Sequence, residues 1–567
     1  MAKYISFIFV FFCFLPQLIK AQANGRIMDQ STGQNMPFVH VVNRANKAGT
    51  SSDIDGKFKL LANPGDTLHF SFVGYDPLEK IFLLREEMNI FLSKKAVSID
   101  EVIIRPGINP AHRIIRNAID NKDQNNPEKN IGYRCNAYNK LLLTAEPDSI
   151  LLKDEQRMAK MDSSDLRALD FFEGQHLLVM ESITERRFSP PGKHHERIKA
   201  SRLSGLQSPD FALLATQIQS FSFYEELISV LSTNYLSPLS NGAIRKYAFE
   251  LVDTQLSNSD SVFVVAFQPG FGKNFQGLSG LLYINSNGFA IQNVIAQPSD
   301  TAASIQIEIR QKYEFLQNRK WFPVQLSSRM VFKDAVTNGF PIIGIGKSYM
   351  DDIQLDPVFS RKDFGQVFIQ IDPLATKQPD AFWDTYRRDS LDLRELKTYT
   401  FMDSVGKAEK LDQKMKIVEA LFDGKWRLGV VDIDLNKFLN YNNYEGFRLG
   451  AGLHTNDRIS RLFKIGGYGA YGFNDQRFKY GGDIQISIRR MSETSIQWSS
   501  SLDVAERGGH PASLTKMWLS EDDWYRIYIN KMDEALTHQL EFKSQLPFFS
   551  QIKIGIKQQN WHITDEY

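Results

Sequence analysis

From Phe447 to Leu453 the apolar side chains Phe447, Leu449, Ala451 and Leu453 alternate with Arg448, Gly450 and Gly452. After a turn at Phe473–Arg477 the pattern is cleaner. Phe478, Tyr480, Ile484, Ile486 and Ile488 fall on one face, and Lys479, Asp483, Gln485, Ser487 and Arg489 on the other. A period of two predicts a sheet with one apolar and one polar face. The run from Phe478 to Arg489 exceeds the usual soluble strand and suits the roughly 9–11 residues of a tilted membrane strand. Tyr441, Tyr444 and Phe473, with Phe478 and Tyr480, place aromatic rings at strand ends, as interfacial girdles require. Residues 441–567 are therefore expected to begin an outer-membrane antiparallel β-barrel. Further alternation at Ile496 and Trp498, from Leu536 to Phe542 and from Ile552 to Ile556 brings the count to about six strands. More strands could hide around Trp524–Ile529. Single-chain barrels need roughly eight or more, because an open edge cannot be satisfied in lipid. The expectation is an incomplete barrel, from a truncated form of a longer protein or from a sheet closed with other chains.

Upstream, residues 24–104 read as a small β-sandwich. Phe38–Val42 is an apolar strand, Asp53–Gly56 a hairpin turn, and Leu68, Phe70 and Phe72 alternate with Thr67, His69 and Ser71. Residues 105–440 read as an α+β region. Asn109-Pro110 opens a helix whose Ala111, Ile114, Ile115, Ala118 and Ile119 share a face. Asp148–Arg167 reads as a solvated helix or loop, and Phe223–Leu231 as a second helix. Strands are expected at Val262–Phe267, Leu281–Ile284, Phe289–Ala296, Ile305–Ile309 and Val324–Val331. They would form a curved antiparallel sheet with helices on its concave side. By element order alone this is similar to lipoprotein-carrier-like folds. Ala381–Lys397 reads as helical.

Composition narrows the class. A net charge of +1 offers no basic excess for phosphates, so nucleic acid is not an expected partner. Lys3, the apolar run Ile5–Leu15 and Ala21-Gln22-Ala23 form a secretory signal over residues 1–23. Cys13 would leave with it, and Cys135 alone cannot form an intrachain disulfide. No later run reaches the ~18 apolar residues of a membrane helix, so insertion would be by barrel, in a two-membrane envelope.

Four resemblances add to this. The run Gly25-Arg26-Ile27, Thr32-Gly33, Pro37, Asp53–Phe58, Gly65–Leu68 and Val73-Gly74-Tyr75 resembles the carboxypeptidase regulatory-like domain. That resemblance implies a transthyretin-like sandwich without catalytic residues, often found at the N-terminus of outer-membrane receptors. Ser98–Ile104 looks like the segment that energy-coupling machinery reads in TonB-linked receptors, although a last edge strand is the preferred reading. No sequence resembling a receptor plug follows. The order of parts resembles an uncharacterised outer-membrane family of sandwich, domain of unknown function and barrel. It rests on Asn109-Pro110-Ala111 with Ile114-Ile115, Tyr138-Asn139-Lys140, Tyr235 with Ser237-Pro238, and Trp383 with Tyr386-Arg387. Thr398-Tyr399 with Asp403-Ser404, and Tyr441-Asn442 with Glu445-Gly446, complete it. The stretch Glu445–Gly450 also looks like the entry strand of surface-antigen-type assembly barrels.

Candidate chemistry is weak throughout. Gly467–Gly472 satisfies G-x-G-x-x-G, but Phe473-Asn474-Asp475 turns into a strand where a dinucleotide site needs a helix. His194-His195-Glu196 lacks a third convergent ligand and reads as a loop. Asp53-Ile54-Asp55-Gly56 opens like a calcium loop, yet Pro64 stands where the twelfth ligand belongs. Gly270-Phe271-Gly272-Lys273 lacks the leading glycine and the hydroxyl of a P-loop. Cys135 is expected half-buried on a strand. The expectation is therefore no catalytic, cofactor-binding or metal-binding residue and no cofactor. The chain reads as a mainly β, non-enzymatic outer-membrane protein with periplasmic N-terminal domains, in envelope transport or assembly. Its expected partners are outer-membrane lipids and a periplasmic or outer-membrane protein. Two rivals are a TonB-coupled importer of a carbohydrate or other nutrient, and a structural or adhesive surface protein anchored by its barrel.

Overall fold

The computed structural model describes residues 22–83, 87–95, 109–145, 162–206, 222–230, 233–257, 260–300, 304–337, 340–360, 363–364, 369–460, 462–489, 494–506, 531–545 and 551–563. The signal region through residue 21, Ser98–Ile104, most of Asp148–Arg167 and Trp524–Ile529 lie outside them. The fold is mainly β with few helices, in two units: residues up to 359 with 370–402, and residues 360–369 with 403–567.

The first unit begins with two small sheets. Lys57–Leu61, Gln22–Asp29 and Met88–Leu92 form one, with Gln22–Asp29 central and paired in parallel to Met88–Leu92. The approach is close at Gly25, where a Cβ would lie 2.1 Å from the Met88 carbonyl oxygen. Gly49–Ser51, His40–Asn43, Thr67–Ser71 and Leu78–Ile81 form the other. The alternation read in the sequence buries Ile27, Val41, Phe58, Leu68, Phe70 and Ile90 between the sheets. Asp53–Gly56 is a turn, with Gly56 at φ +74° and the Asp53 carboxylate accepting from the backbone amides of Asp55 and Lys57, both at 2.9 Å.

The main sheet of this unit has eleven strands. Seven, from Tyr247–Ser257 to Phe340–Leu355, pair antiparallel in chain order. Phe340–Leu355 then pairs back to Tyr133–Ala145, which continues through Leu178–Ser189 and Lys193–Leu203 to the short edge Ile369–Ile371. All five strands expected between 262 and 331 are present, each somewhat longer. Both faces are covered. Helix Pro110–Asp120, capped by Asn109 and opened by Pro110, sets Ala111, Ile114, Ile115 and Ala118 against Leu141, Met180, Val265 and Leu282. On the opposite face, Tyr138, Ile183, Val264, Tyr283 and Tyr349 meet Phe38 and Ile54 of the sandwich and Trp383. The Tyr247–Ser257 edge is shielded: Asn109 donates to the Phe249 carbonyl (2.7 Å), and the His40 ring bonds the Leu256 carbonyl (2.7 Å).

Four local expectations fail for identifiable reasons. Phe223–Leu231 is not a helix: Leu227–Val230 pairs with Thr233–Leu236 as a hairpin, and buried Ile228 and Val230 alternate with exposed Leu227 and Ser229. The period there is two, and a short run does not separate it from a helical face. Ala381–Lys397 is two helices, Asp380–Tyr386 and Leu393–Ala408. Asp392 and Glu395 restart the second by exchanging backbone hydrogen bonds, the reciprocal pattern of a capping box. His194-His195-Glu196 lies in strand Lys193–Leu203, not in a loop. Cys135 is 2% exposed, fully buried where half-burial was expected, and that burial pushes its thiol up to about 12.

The second unit carries a nine-stranded sheet. Its six long strands are Gly446–Thr455, Phe463–Gly472, Phe478–Arg489, Thr494–Ala505, Asp533–Gln545 and Gln551–His562, the number expected after residue 441. They pair antiparallel in chain order, and shorter strands from Lys425 to Asn442 line the first. Register aligns Ile465, Ile484, Trp498, Leu540 and Ile556 in one cross-strand row, each 40–75% exposed. Phe478, Tyr480, Ile484, Ile486 and Ile488 are all exposed on that face. Among the described residues the first and last strands of the order do not pair, so closure into a barrel is not shown.

Candidate functional site

The deepest polar cluster in the first unit surrounds Glu181, which strand Leu178–Ser189 buries completely. Its carboxylate accepts from Arg387 Nε (2.8 Å) and Nη2 (2.7 Å), from Tyr138 Oη (2.7 Å) and from Tyr399 Oη (2.9 Å). Arg387 follows helix Asp380–Tyr386, and its guanidinium stands 5.7 Å from the centre of the Trp383 ring. Tyr399 comes from the next helix, with the Arg202 guanidinium 4.2 Å from its ring centre. Burial alone would raise the Glu181 pKa, but the hydrogen bonds and charge of Arg387 outweigh it and hold the carboxylate low. Burial, then the Glu181 charge, push Tyr138 and Tyr399 well above the ordinary phenol range. Near neutral pH the cluster is one anion, one cation and two neutral hydroxyls, without a proton to exchange. Its chemistry is that of a tie between the helical segment and the sheet.

Beside it the sandwich turn reaches the same sheet face. Asp55 accepts from Lys347 Nζ and Tyr349 Oη, both at 2.6 Å, and the Ile54 amide donates to Gln325 Oε1 at 3.2 Å. Lys57 pairs with Asp389 at 2.5 Å, and Lys140 pairs with Glu395. Asp55 stays low although burial opposes it, because Lys347 and Tyr349 stabilise the anion. Asp55, Tyr138, Lys140, Lys347, Tyr349 and Glu395 line a cavity of about 80 Å³, room for a few waters. The two aspartates that imitate a calcium loop thus do other work: Asp53 shapes the turn and Asp55 docks it.

The second unit has its own ionic cluster on the polar side of the sheet. Arg448 donates twice to Asp503, at 2.6 and 3.0 Å, and lies 3.4 Å from Glu445. Tyr468 Oη donates to Asp503 at 2.5 Å. Lys479 is wholly buried between Glu445, at 2.9 Å, and Asp475. Arg448 and Asp503 are three strand spacings apart, about 14 Å on a flat sheet, so their contact needs the sheet bent toward its polar side. Glycines make the room: a Cβ on Gly481 would lie 2.7 Å from the Tyr468 ring, and one on Gly466 1.9 Å from the His454 ring.

The remaining motifs do not converge. Gly467–Gly472 lies within strand Phe463–Gly472. His194 packs on Phe188 with ring centres 4.8 Å apart, His195 is buried, and Glu196 pairs with Arg186 at 3.1 Å. Among the described residues no group of three His, Cys, Asp or Glu side chains is arranged to hold a metal ion. Gly270–Lys273 is a surface turn. Some of the family-like positions gather. Tyr138, Trp383, Arg387 and Tyr399 surround Glu181, Lys140 lines the adjoining cavity, and Asn442 and Glu445 join Arg448. Sequence reading missed Glu181, Glu395 and Asp503. A glutamate inside Leu177–Thr184, otherwise short of charge, carried the signal, because such a residue is buried only with a partner.

Two parts of the chain match known families. Residues 23–104 match the CarboxypepD_reg-like domain, and residues 114–339 match DUF5686, a family of unknown function. The chain is 35% identical over 78 residues to the TonB-dependent receptor SusC of Bacteroides thetaiotaomicron, 14% of this chain and 8% of that protein. It is 30% identical over 86 residues to the TonB-dependent receptor P39 of Formosa agariphila, 15% of this chain and 8% of that protein. The chain therefore spans a small part of the length of these relatives. Among solved structures, a DUF1329 family protein from Desulfovibrio piger overlaps with a TM-score of 0.23 at 12% identity, covering 45% of this chain and 98% of its own. MucB in complex with MucA(peri) overlaps with a TM-score of 0.14 at 7% identity, covering 79% and 94%. Agreement at that level carries no argument about fold or function.

Proposed function

We propose that the chain is a non-enzymatic outer-membrane protein of envelope transport or assembly, with its first unit in the periplasm. The observation that carries this is the second unit's sheet: six long strands with an exposed apolar face and an ionic, glycine-spaced opposite face. Water does not favour that arrangement, whereas a hydrocarbon layer on one side does. The short likeness to TonB-dependent receptors agrees with the address. In this reading outer-membrane lipids cover the apolar face. The sandwich, fixed to the larger sheet by Asp55 and the buried Phe38 and Ile54, forms part of one wall that a periplasmic or outer-membrane protein partner would meet.

Depletion of the protein, scoring outer-membrane protein content and lipid composition together, tests the role. A change in either, with nutrient uptake intact, supports assembly or transport. Energy-dependent loss of uptake of one nutrient class would favour a TonB-coupled importer, the reading that the receptor likeness supports. Intact composition and uptake with lost attachment would replace both with an adhesive anchor.

A further inference from the structure

The turn Gly270–Lys273 combines a regular backbone geometry with an exposed aromatic corner. The Lys273 amide donates to the Gly270 carbonyl at 3.1 Å, and Gly272 at φ +70° takes the third position, as a type II turn requires. Phe271 stands at the outer corner with its ring fully exposed. The turn is tied at its base, where the Gly270 amide donates to the Lys246 carbonyl at 2.8 Å and Phe275 packs on Tyr247 with ring centres 5.3 Å apart. That tie brings the exposed cations Arg245 and Lys246 beside the turn that carries Phe271 and the exposed Lys273. None of the three has a carboxylate within ion-pair distance among the described residues, and Glu226, which senses Lys246, is already held by Lys122. A lone exposed phenylalanine means little. A phenyl fixed on a rigid turn among unpaired cations matches a surface with an apolar interior and anionic phosphates above it.

We propose that this turn is a second membrane contact, in which Phe271 enters the headgroup region of an anionic phospholipid layer and Arg245, Lys246 and Lys273 meet its phosphates. The proposal rests on the membrane reading of the second unit, and adds a contact made by the first. Each cation near an anionic surface contributes about fivefold to the contact, weakened by salt.

The test uses the full chain with Cys13→Ser and Cys135→Ala, and an environment-sensitive NBD fluorophore on Phe271→Cys. The protein is reconstituted in phosphatidylcholine vesicles and in vesicles enriched in phosphatidylglycerol. The expected result is a blue-shifted, brighter probe with phosphatidylglycerol only, reduced about fivefold by Lys273→Gln and further by adding Lys246→Gln. A probe that reports water in both vesicles, or an equal response in both, overturns the proposal. A parallel probe on Ile486→Cys reads the second unit separately. If it enters lipid while position 271 stays in water, the turn proposal fails and the barrel reading stands. If position 271 responds to phosphatidylglycerol while position 486 stays in water, the turn contact stands and the barrel reading fails.

Discussion

The two large sheets are built from the same alternating grammar and use it in opposite senses. In the eleven-stranded sheet, Val264 and Val265 point to opposite faces and both are buried, one beneath the sandwich and one beneath helix Pro110–Asp120. In the nine-stranded sheet, Ile484 and Ile486 are exposed, and Lys479 is fully buried. Apolar groups go inward where protein layers supply the cover, and outward in the sheet for which a lipid cover is proposed. The charges follow the same division. The first unit pairs Glu181 with Arg387 beneath a helical segment, and the second strings Arg448, Asp503, Glu445 and Lys479 across a bent sheet.

The largest effect is expected where a buried charge loses its partner. Glu181→Ala leaves the buried Arg387 guanidinium only the exposed Asp384 carboxylate, 3.3 Å away, and should destabilise the first unit by about 3–5 kcal/mol. Hydrogen exchange of strand Leu178–Ser189 in the full chain would show it; protection equal to the native level would mean that the tie is ornamental. The contrast between faces is sharpened by Ile486→Arg and Gln485→Arg. The first should cost about 2–4 kcal/mol of membrane insertion and the second little, read as the fraction of heat-modifiable protein. Equal loss in both would break the assignment of faces. Acid should distinguish the units next. Burial, then the Arg394 charge, lower His176 from 6.5 to about 4, so the folded first unit binds fewer protons than the unfolded chain. Its stability is complete above pH 6.5 and declines as pH falls toward about 4, by at most roughly 3 kcal/mol. His176→Asn should flatten that decline in a pH series of exchange rates. The smallest effect concerns the sandwich. Residues 24–104 expressed alone should fold as a soluble all-β monomer without metal or disulfide, but with modest stability. The unit is small, and Phe38 and Ile54 lose the cover they have here. A disordered circular dichroism spectrum would show that the sandwich depends on the sheet.

Long, regular segments were legible. The five strands between 262 and 331, the Pro110 helix and the outward set at Phe478–Ile488 follow from periodicity and capping alone. Short segments were not, because Phe223–Leu231 carries too few residues to separate the two periods. The site was legible only in part. Tyr138, Trp383, Arg387 and Tyr399 stood out as family-like positions, but nothing local says that they meet at Glu181, 206 residues before Arg387. The same holds for Asp55, whose partners Lys347 and Tyr349 are 292 and 294 residues away. Local pattern determines which face a side chain takes, and only the tertiary fold determines whom it meets.

The seam in the eleven-stranded sheet has a consequence in time. Tyr133–Ala145 lies between Leu178–Ser189 and Phe340–Leu355, so one of its edges stays empty until some two hundred further residues are available. Closing so long a loop is entropically costly and slow, and neither cluster of the first unit can be completed sooner, since Lys347, Arg387 and Tyr399 come later still. A chain that emerges from its N-terminus must therefore wait with one edge of that strand unpaired. If the chain is exported unfolded, as the periplasmic reading proposed above requires, that delay is useful: the half-delivered chain has no finished sheet to jam the passage, and it locks only after Tyr399 has arrived.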